Sequence, residues 1–206
     1  MKFLDVKLKF KDSEIIDIRN LLNFFGKLDR RRLYEWQKKK YIKKIANNYY
    51  IFADAVINDA VLKIIANTIY QPSYIGLESA LSYYGLIPEA VFQINSITAK
   101  KTKRFETDTA QFTYRNIHRR FFWGYNLKRE TNHAFFISDL EKTILDYLYL
   151  NPHLNDTAAL EELRINKKHF QSRVNRRRLK KYLNIFSNSR LNKSTAELMR
   201  VLNAEF

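Results

Sequence analysis

No cysteine occurs among the 206 residues. This excludes a disulfide framework, a thiolate nucleophile and every zinc site that needs thiolate, and it fits a reducing compartment. Only four glycines are present, so there is no phosphate-cradling glycine loop and no nucleotide-binding fingerprint of the usual kinds. With three prolines besides, turns should be few and elements long. The four histidines (His118, His133, His153, His169) stand far apart, with no pair at i, i+4 and no local carboxylate pattern, so neither a metal nor another cofactor is expected. No stretch approaches the ~20 apolar residues of a membrane span, and Met1 to Phe10 has neither the apolar run nor the cleavage site of a signal peptide. The expectation is a cytoplasmic protein, neither secreted nor membrane-spanning.

What is abundant is positive charge, and it is concentrated. Between Lys27 and Lys44, nine bases face two acids, Asp29 and Glu35, giving +7; between Arg164 and Lys181, nine bases and no acid give +9. Together these windows hold the whole net charge of +16, leaving 19 bases and 19 acids elsewhere. Local excess of this kind is what an electrostatic patch facing a polyanion requires. At 46% hydrophobic and 15% aromatic residues, the chain also has the material for a core.

Apolar spacing organises the first third. Ser13 is an expected N-cap for a helix carrying Ile15, Ile18, Leu22 and Phe25, which Gly26 ends. Asp29 should cap a second helix to about Lys40, with Leu33 and Trp36 inward and Arg30, Arg31, Tyr34, Gln37 and Lys38 outward. Two β-prone runs, Tyr41 to Ile45 and Tyr49 to Phe52, flank Asn47-Asn48 and read as a hairpin. A helix after Asn58 (Val61, Leu62, Ile65, Ile69) then leads to Gln71-Pro72-Ser73, the expected domain boundary.

Downstream, Leu77, Ala80, Leu81 and Tyr84 make a short helix that Gly85 terminates. From Val91 to Ile137 the chain turns β-rich (Phe92/Ile94, Phe112/Tyr114, His133 to Ile137), predicting a small, mostly antiparallel sheet. Ser138-Asp139-Leu140-Glu141 matches a capping box opening a helix to about residue 150, with Leu140, Ile144, Leu145 and Leu148 inside. In the last third, Phe170 and Val174 share one face and Leu179, Tyr182, Leu183 and Phe186 another, so the phase breaks near Asn175, and the Arg176 to Lys181 cluster opens a new helix. A final helix has Leu191, Thr195, Leu198 and Leu202 in register. The fold class is α+β, with a winged helix-turn-helix-like domain over 1–70 and, over 71–206, an α+β domain with C-terminal helices.

Helix, basic helix and basic hairpin is the order of the later parts of a winged helix-turn-helix, whose second helix enters the major groove. Arg and Gln suit bidentate pairing with purine edges, and Lys suits phosphate. The expected DNA-binding residues are Arg30, Arg31, Tyr34, Gln37, Lys38, Lys43, Lys44 and Asn47, and the partner is double-stranded operator DNA. Only one clear helix precedes the reader, where a full winged helix has two. The second basic patch (Lys167, Lys168, Arg173, Arg176, Arg177, Lys180) leaves three readings open. A cationic helix start runs against the helix dipole and calls for an anionic partner, which nucleic acid or an acidic protein surface would supply; solvated charge is the third reading. Asp139, Glu141 and Lys142 after a strand suggest a Mg²⁺-dependent nuclease as an alternative. Against it, Glu141 fits the capping box, and Lys142 can pair with Asp146 one turn on.

Pro72-Ser73-Tyr74-Ile75-Gly76-Leu77-Glu78-Ser79-Ala80-Leu81-Ser82-Tyr83-Tyr84-Gly85-Leu86-Ile87-Pro88-Glu89 resembles the signature of AbiEi-family antitoxins of AbiE-type (type IV) toxin–antitoxin systems. Ile97-Thr98 to Lys101-Thr102 with Phe105, the stretch Phe122-Trp123-Gly124-Tyr125 and the helix Leu140-Glu141-Lys142-Thr143-Ile144-Leu145-Asp146 match further family segments in order. The resemblance covers residues 72 to 150 and departs at Leu140, where the family often has Pro, and in a short, divergent head. It implies a non-enzymatic, phage-defence antitoxin. In that reading an N-terminal winged helix represses its own operon, and the remainder counteracts a co-encoded nucleotidyltransferase-like toxin. The matched residues read as structural: Leu77, Ala80, Leu81, Ile144 and Leu145 as core, Gly85 as a helix stop. A stand-alone transcriptional regulator is the plainer alternative.

Overall fold

The computed structural model describes residues 1–88, 93–130 and 133–204; the expectations for Phe92 and Glu89 fall outside them. The fold is α+β. The first part runs α1 (Phe3–Lys9), β1 (Ile16–Asp17), α2 (Ile18–Phe25), α3 (Arg30–Lys38), β2 (Ile42–Ala46) and β3 (Tyr49–Phe52). Its strands form an antiparallel sheet in the order β1-β3-β2. Asp29 caps α3 by accepting from the Arg31 N–H, Gly26 ends α2 at φ 72°, and Asn48 takes φ 69° in the hairpin turn. The Ser13 cap is corrected: Asp17 caps α2 instead, accepting from the Arg19 N–H, and Ile15 lies before β1. Leu21 rather than Leu22 fills the core, because starting the helix at Ile18 rotates its buried stripe.

Helix α1 gave no sequence signal because of its seven residues only Val6 is buried. Phe3 nonetheless packs edge-on against Trp36 at 5.5 Å. Val6, Ile16, Leu21, Leu33, Trp36, Ile42 and Phe52 are the centre of this first core.

Helix α4 (Asp59–Ile69) is capped by Asn58. Its Ala60, Val61, Ile65, Ala66 and Ile69 belong to a second, larger core shared with residues on the far side of Gln71-Pro72-Ser73. That core holds a six-stranded sheet ordered β6-β7-β5-β4-β9-β8. Its strands are β4 (Ser73–Ile75), β5 (Gln93–Thr98), β6 (Lys103–Glu106), β7 (Gln111–Asn116), β8 (Tyr125–Glu130) and β9 (His133–Ser138). The sheet is larger than expected and mixed: three of its five pairings are antiparallel, in line with the expectation, while β5 runs parallel to β7 and β4 parallel to β9. Edge strands β6 and β8 are mostly polar, and their pairing partners supply what their own pattern does not announce.

Helix α5 (Leu77–Tyr83) stops at Gly85 (φ 68°), with the Leu86 N–H reaching back to the Leu81 carbonyl. Helix α6 (Leu140–Leu150) buries Leu140, Ile144, Leu145 and Leu148. Its last carbonyls are held by Arg190, bonding Leu148 O and Tyr149 O, and by Arg115 on Leu150 O. Cations there complement the helix dipole. Helices α7 (Thr157–Glu162), α8 (Lys167–Arg173), α9 (Arg176–Phe186) and α10 (Ser189–Val201) complete the chain. Asn175 caps α9 through the Arg178 N–H at 3.0 Å, at the phase break read from the sequence. Asn175→Ala should cost about 1 kcal/mol, measured by urea denaturation.

Candidate nucleic-acid interface

Helix α3 and the β2–β3 hairpin meet across an open hollow of about 390 Å³ lined in part by Arg30, Tyr34, Gln37, Lys44 and Asn47. The geometry follows from spacing: 30, 34 and 37 fall on one helical stripe, Leu33 and Trp36 are buried on the next, and Arg31 and Lys38 point away from the core. The register brings Lys44 opposite Tyr50 and Lys43 opposite Ile51, and both lysines are exposed. Tyr34 is 69% exposed, unusual for so large a ring. Gln37 is half-buried and donates one amide N–H to Leu33 O at 3.2 Å. Arg30, Arg31, Lys38, Lys43 and Lys44 are exposed, and among the described residues none is paired with a carboxylate. Unpaired cations beside an aromatic and two amides form a face suited to a polyanion with base-edge acceptors.

The second basic patch is not one uniform surface. Lys167 and Lys168 open α8, and Arg176, Arg177, Lys180 and Lys181 lie on the outer side of α9, all exposed. Arg177, Lys180 and Lys181 line a shallow hollow with Asn184 and Ile185. Arg173 instead donates to Tyr84 O at 2.7 Å, and the His169 ring bonds Gly85 O at 2.9 Å, so α8 is pinned to the end of α5. The anion that the cationic start of α9 calls for comes from within the chain. Buried Glu141 accepts from the Asn175 N–H at 2.6 Å and pairs with Arg178 at 2.6 Å.

This places Glu141 away from the expected capping box, which is corrected. Asp139 is the cap of α6, accepting from the Lys142 N–H at 2.9 Å, while Ser138 ends β9 and its hydroxyl bonds Thr143 Oγ1 at 2.7 Å. β9 extends one residue further than its apolar pattern, moving the cap along by one. Asp139 also accepts from the Tyr182 hydroxyl at 2.8 Å. The three nuclease candidates, Asp139, Glu141 and Lys142, are thus buried and each bonded to protein groups. Among the described residues no cluster of three or more His, Cys, Asp or Glu is placed to hold a metal ion.

Lys142 lies inside the protein, paired with Asp146, and donates to the Tyr74 hydroxyl at 3.2 Å; that hydroxyl donates to the other Asp146 oxygen at 2.8 Å. The Trp123 and Phe186 rings stand about the ammonium at 5.0 and 5.1 Å. Gly124, at φ 73°, has no room for a side chain, since a Cβ would sit 2.9 Å from Lys142 Cγ. Phe122 to Tyr125, Tyr74 and the start of α6 therefore form one packed unit, which tertiary structure alone reveals. Burial pushes the Asp146 carboxyl up to about 6 and holds the Lys142 ammonium below its usual range. Because the Asp146 value in the fold lies above its unfolded one of about 4, its contribution favours the fold fully below about pH 4. That contribution is lost as pH rises through about 6. A ¹³C NMR titration should find this carboxyl with a midpoint near 6, whereas a midpoint near 4 would show that desolvation does not dominate.

Among the described residues no helix is long and apolar enough to cross a membrane. No protein-family model matches the chain, and no curated protein matches it.

Proposed function

We propose that this chain is a non-enzymatic DNA-binding antitoxin that represses its own operon through residues 1–70 and counteracts a nucleotidyltransferase-like toxin through the remainder. The observation that carries the DNA-binding part is the α3–hairpin face, where Arg30, Tyr34 and Gln37 border one hollow with Lys44 and Asn47. The order α1, β1, α2, α3, β2, β3 with its three-stranded antiparallel sheet supports a winged helix-turn-helix, supplying the helix and strand ahead of α2 that the motif calls for. In this reading α3 enters the major groove, Arg30 and Arg31 meet base edges, and Lys38, Lys43 and Lys44 neutralise phosphates.

The antitoxin part rests on the resemblance of residues 72–150 to AbiEi proteins. The exposed cations of α8 and α9 are the surface offered to an acidic toxin face or to flanking DNA. The test is binding of the full chain to its own upstream DNA against a scrambled duplex at two salt concentrations. Preference for the upstream DNA that survives higher salt is the expected result. Equal, strongly salt-dependent binding to both duplexes overturns the repressor assignment. For the toxin, co-expression with the adjacent reading frame should relieve growth arrest, and failure to do so removes the antitoxin part alone.

A further inference from the structure

We propose that the hollow of about 390 Å³ between α3 and the β2–β3 hairpin binds a free nucleoside monophosphate, its phosphate between Arg30 and Lys44 and its base against the Tyr34 ring. The nucleotide then competes with duplex DNA for the same residues. Binding follows from the geometry of the hollow, and only the competition rests on the repressor reading.

The two cations converge from opposite walls. Lys44 stands directly across from Tyr50 in the β2–β3 register, so the two side chains share one face of the hairpin, and both line the hollow. From the other wall Arg30, the first residue of α3, reaches the same ring. Its charge acts on the Tyr50 phenol, partly offsetting the burial that pushes that phenol up. Among the described residues neither cation is paired with a carboxylate, and no acid lines the hollow. Asn47 and Asn48 add exposed amides at the turn that follows Lys44.

These groups set the ligand class. Two unpaired cations match the charge of about −1.5 to −2 on a phosphate monoester, whereas each phosphodiester of a duplex carries a single charge. A free nucleotide therefore satisfies the pair more completely than the DNA backbone does. Tyr34, one helical turn from Arg30, is 69% exposed, and a nucleobase is the flat partner that such a ring stacks against. The amides of Asn47 and Asn48 offer both donors and acceptors to a sugar hydroxyl or a base edge. Every group that selects the ligand, Arg30, Tyr34, Lys44, Asn47 and Asn48, is exposed and open to it. The size of the hollow also lies within the roughly 300–1,000 Å³ of small-molecule sites. Side chains here do the work of the glycine loop that the chain lacks.

The experiment is a ¹H–¹⁵N NMR titration of the full chain with AMP, adenosine and inorganic phosphate, followed by competition of AMP against a fluorescent upstream duplex. AMP is expected to give saturable shifts of the Tyr34, Asn47 and Asn48 amides, with a Kd at least about tenfold below that of adenosine or phosphate, and to displace the duplex. Tyr34→Ala should reduce AMP to the affinity of phosphate, and Lys44→Ala should weaken AMP and phosphate alike by about tenfold. Both residues are exposed, and the same spectra report whether each variant is folded. Equal affinity for AMP and phosphate overturns the proposal, as that is general attraction of an anion to a basic surface. AMP binding unchanged in both variants overturns it too. A duplex that shifts these amides where AMP does not also overturns it, and leaves the DNA reading standing. AMP binding at these amides without preference of the chain for its upstream DNA upholds the site and removes the repressor assignment instead.

Discussion

Lys142→Met is expected to destabilise the protein by about 3–5 kcal/mol at pH 8, the largest single-residue effect anticipated outside the apolar core. Lys142 and Asp146 are both fully buried, one turn apart on α6. Removing the ammonium strands a carboxylate among Tyr74, Trp123 and Phe186, where nothing else neutralises it. The carboxyl, already pushed up to about 6 in the intact protein, would then rise further, so the deficit should shrink as pH falls toward 5. Lys142→Met with Asp146→Asn removes both charges and leaves an acceptor for the Tyr74 hydroxyl, and it should recover most of the loss. Urea denaturation of both variants at pH 5 and pH 8 checks this. A single variant no less stable than the double, or a deficit independent of pH, would show that the pair is not an ion pair in the fold.

The second large effect concerns DNA. Replacing Lys38, Lys43 and Lys44 together by Ala should lower the slope of log K against log salt by about three units, and affinity for any duplex by roughly 10²-fold near physiological salt. Arg31→Ala should act differently, weakening the preferred duplex by about 1–3 kcal/mol while leaving the scrambled one nearly unchanged. Salt-titrated binding isotherms on two duplexes separate the outcomes. If Arg31→Ala lowered both duplexes in the same proportion, as the lysine triple variant should, α3 would not be the element that reads sequence. Neutralising Arg176, Arg177 and Lys180 provides an internal comparison. These are exposed cations of α9 with no part in the first face, and their loss should spare duplex preference.

The contrast between the two clusters shows where local pattern is informative. On α3, the Asp29 cap, the inward Leu33 and Trp36 and the outward cations all follow from a 3.6-residue period read over nine positions. On α9 the same logic located Asn175 and the new helix, yet it could not show that Glu141, 34 residues upstream, answers the Asn175 N–H. A buried carboxylate bound across such a distance leaves no spacing to read. The capping box failed for a related reason: Ser138 was drawn into β9 by its pairing with Tyr125, and tertiary pairing outweighed a local signal that Asp139 could satisfy equally well.

Helix phase, caps and the two basic stretches are properties of neighbouring residues, so the amino-acid order alone determined them. The lack of cysteine ruled out disulfides and thiolate ligands within these 206 residues just as directly. Tertiary structure decided the rest. It paired the polar edge strands β6 and β8 with partners, set β4 parallel to β9, and buried Lys142 against Asp146 beneath Gly124. Each of these depends on contacts between residues far apart in sequence, whose free energy comes from excluding water and matching hydrogen bonds across elements. No window along the chain contains that information.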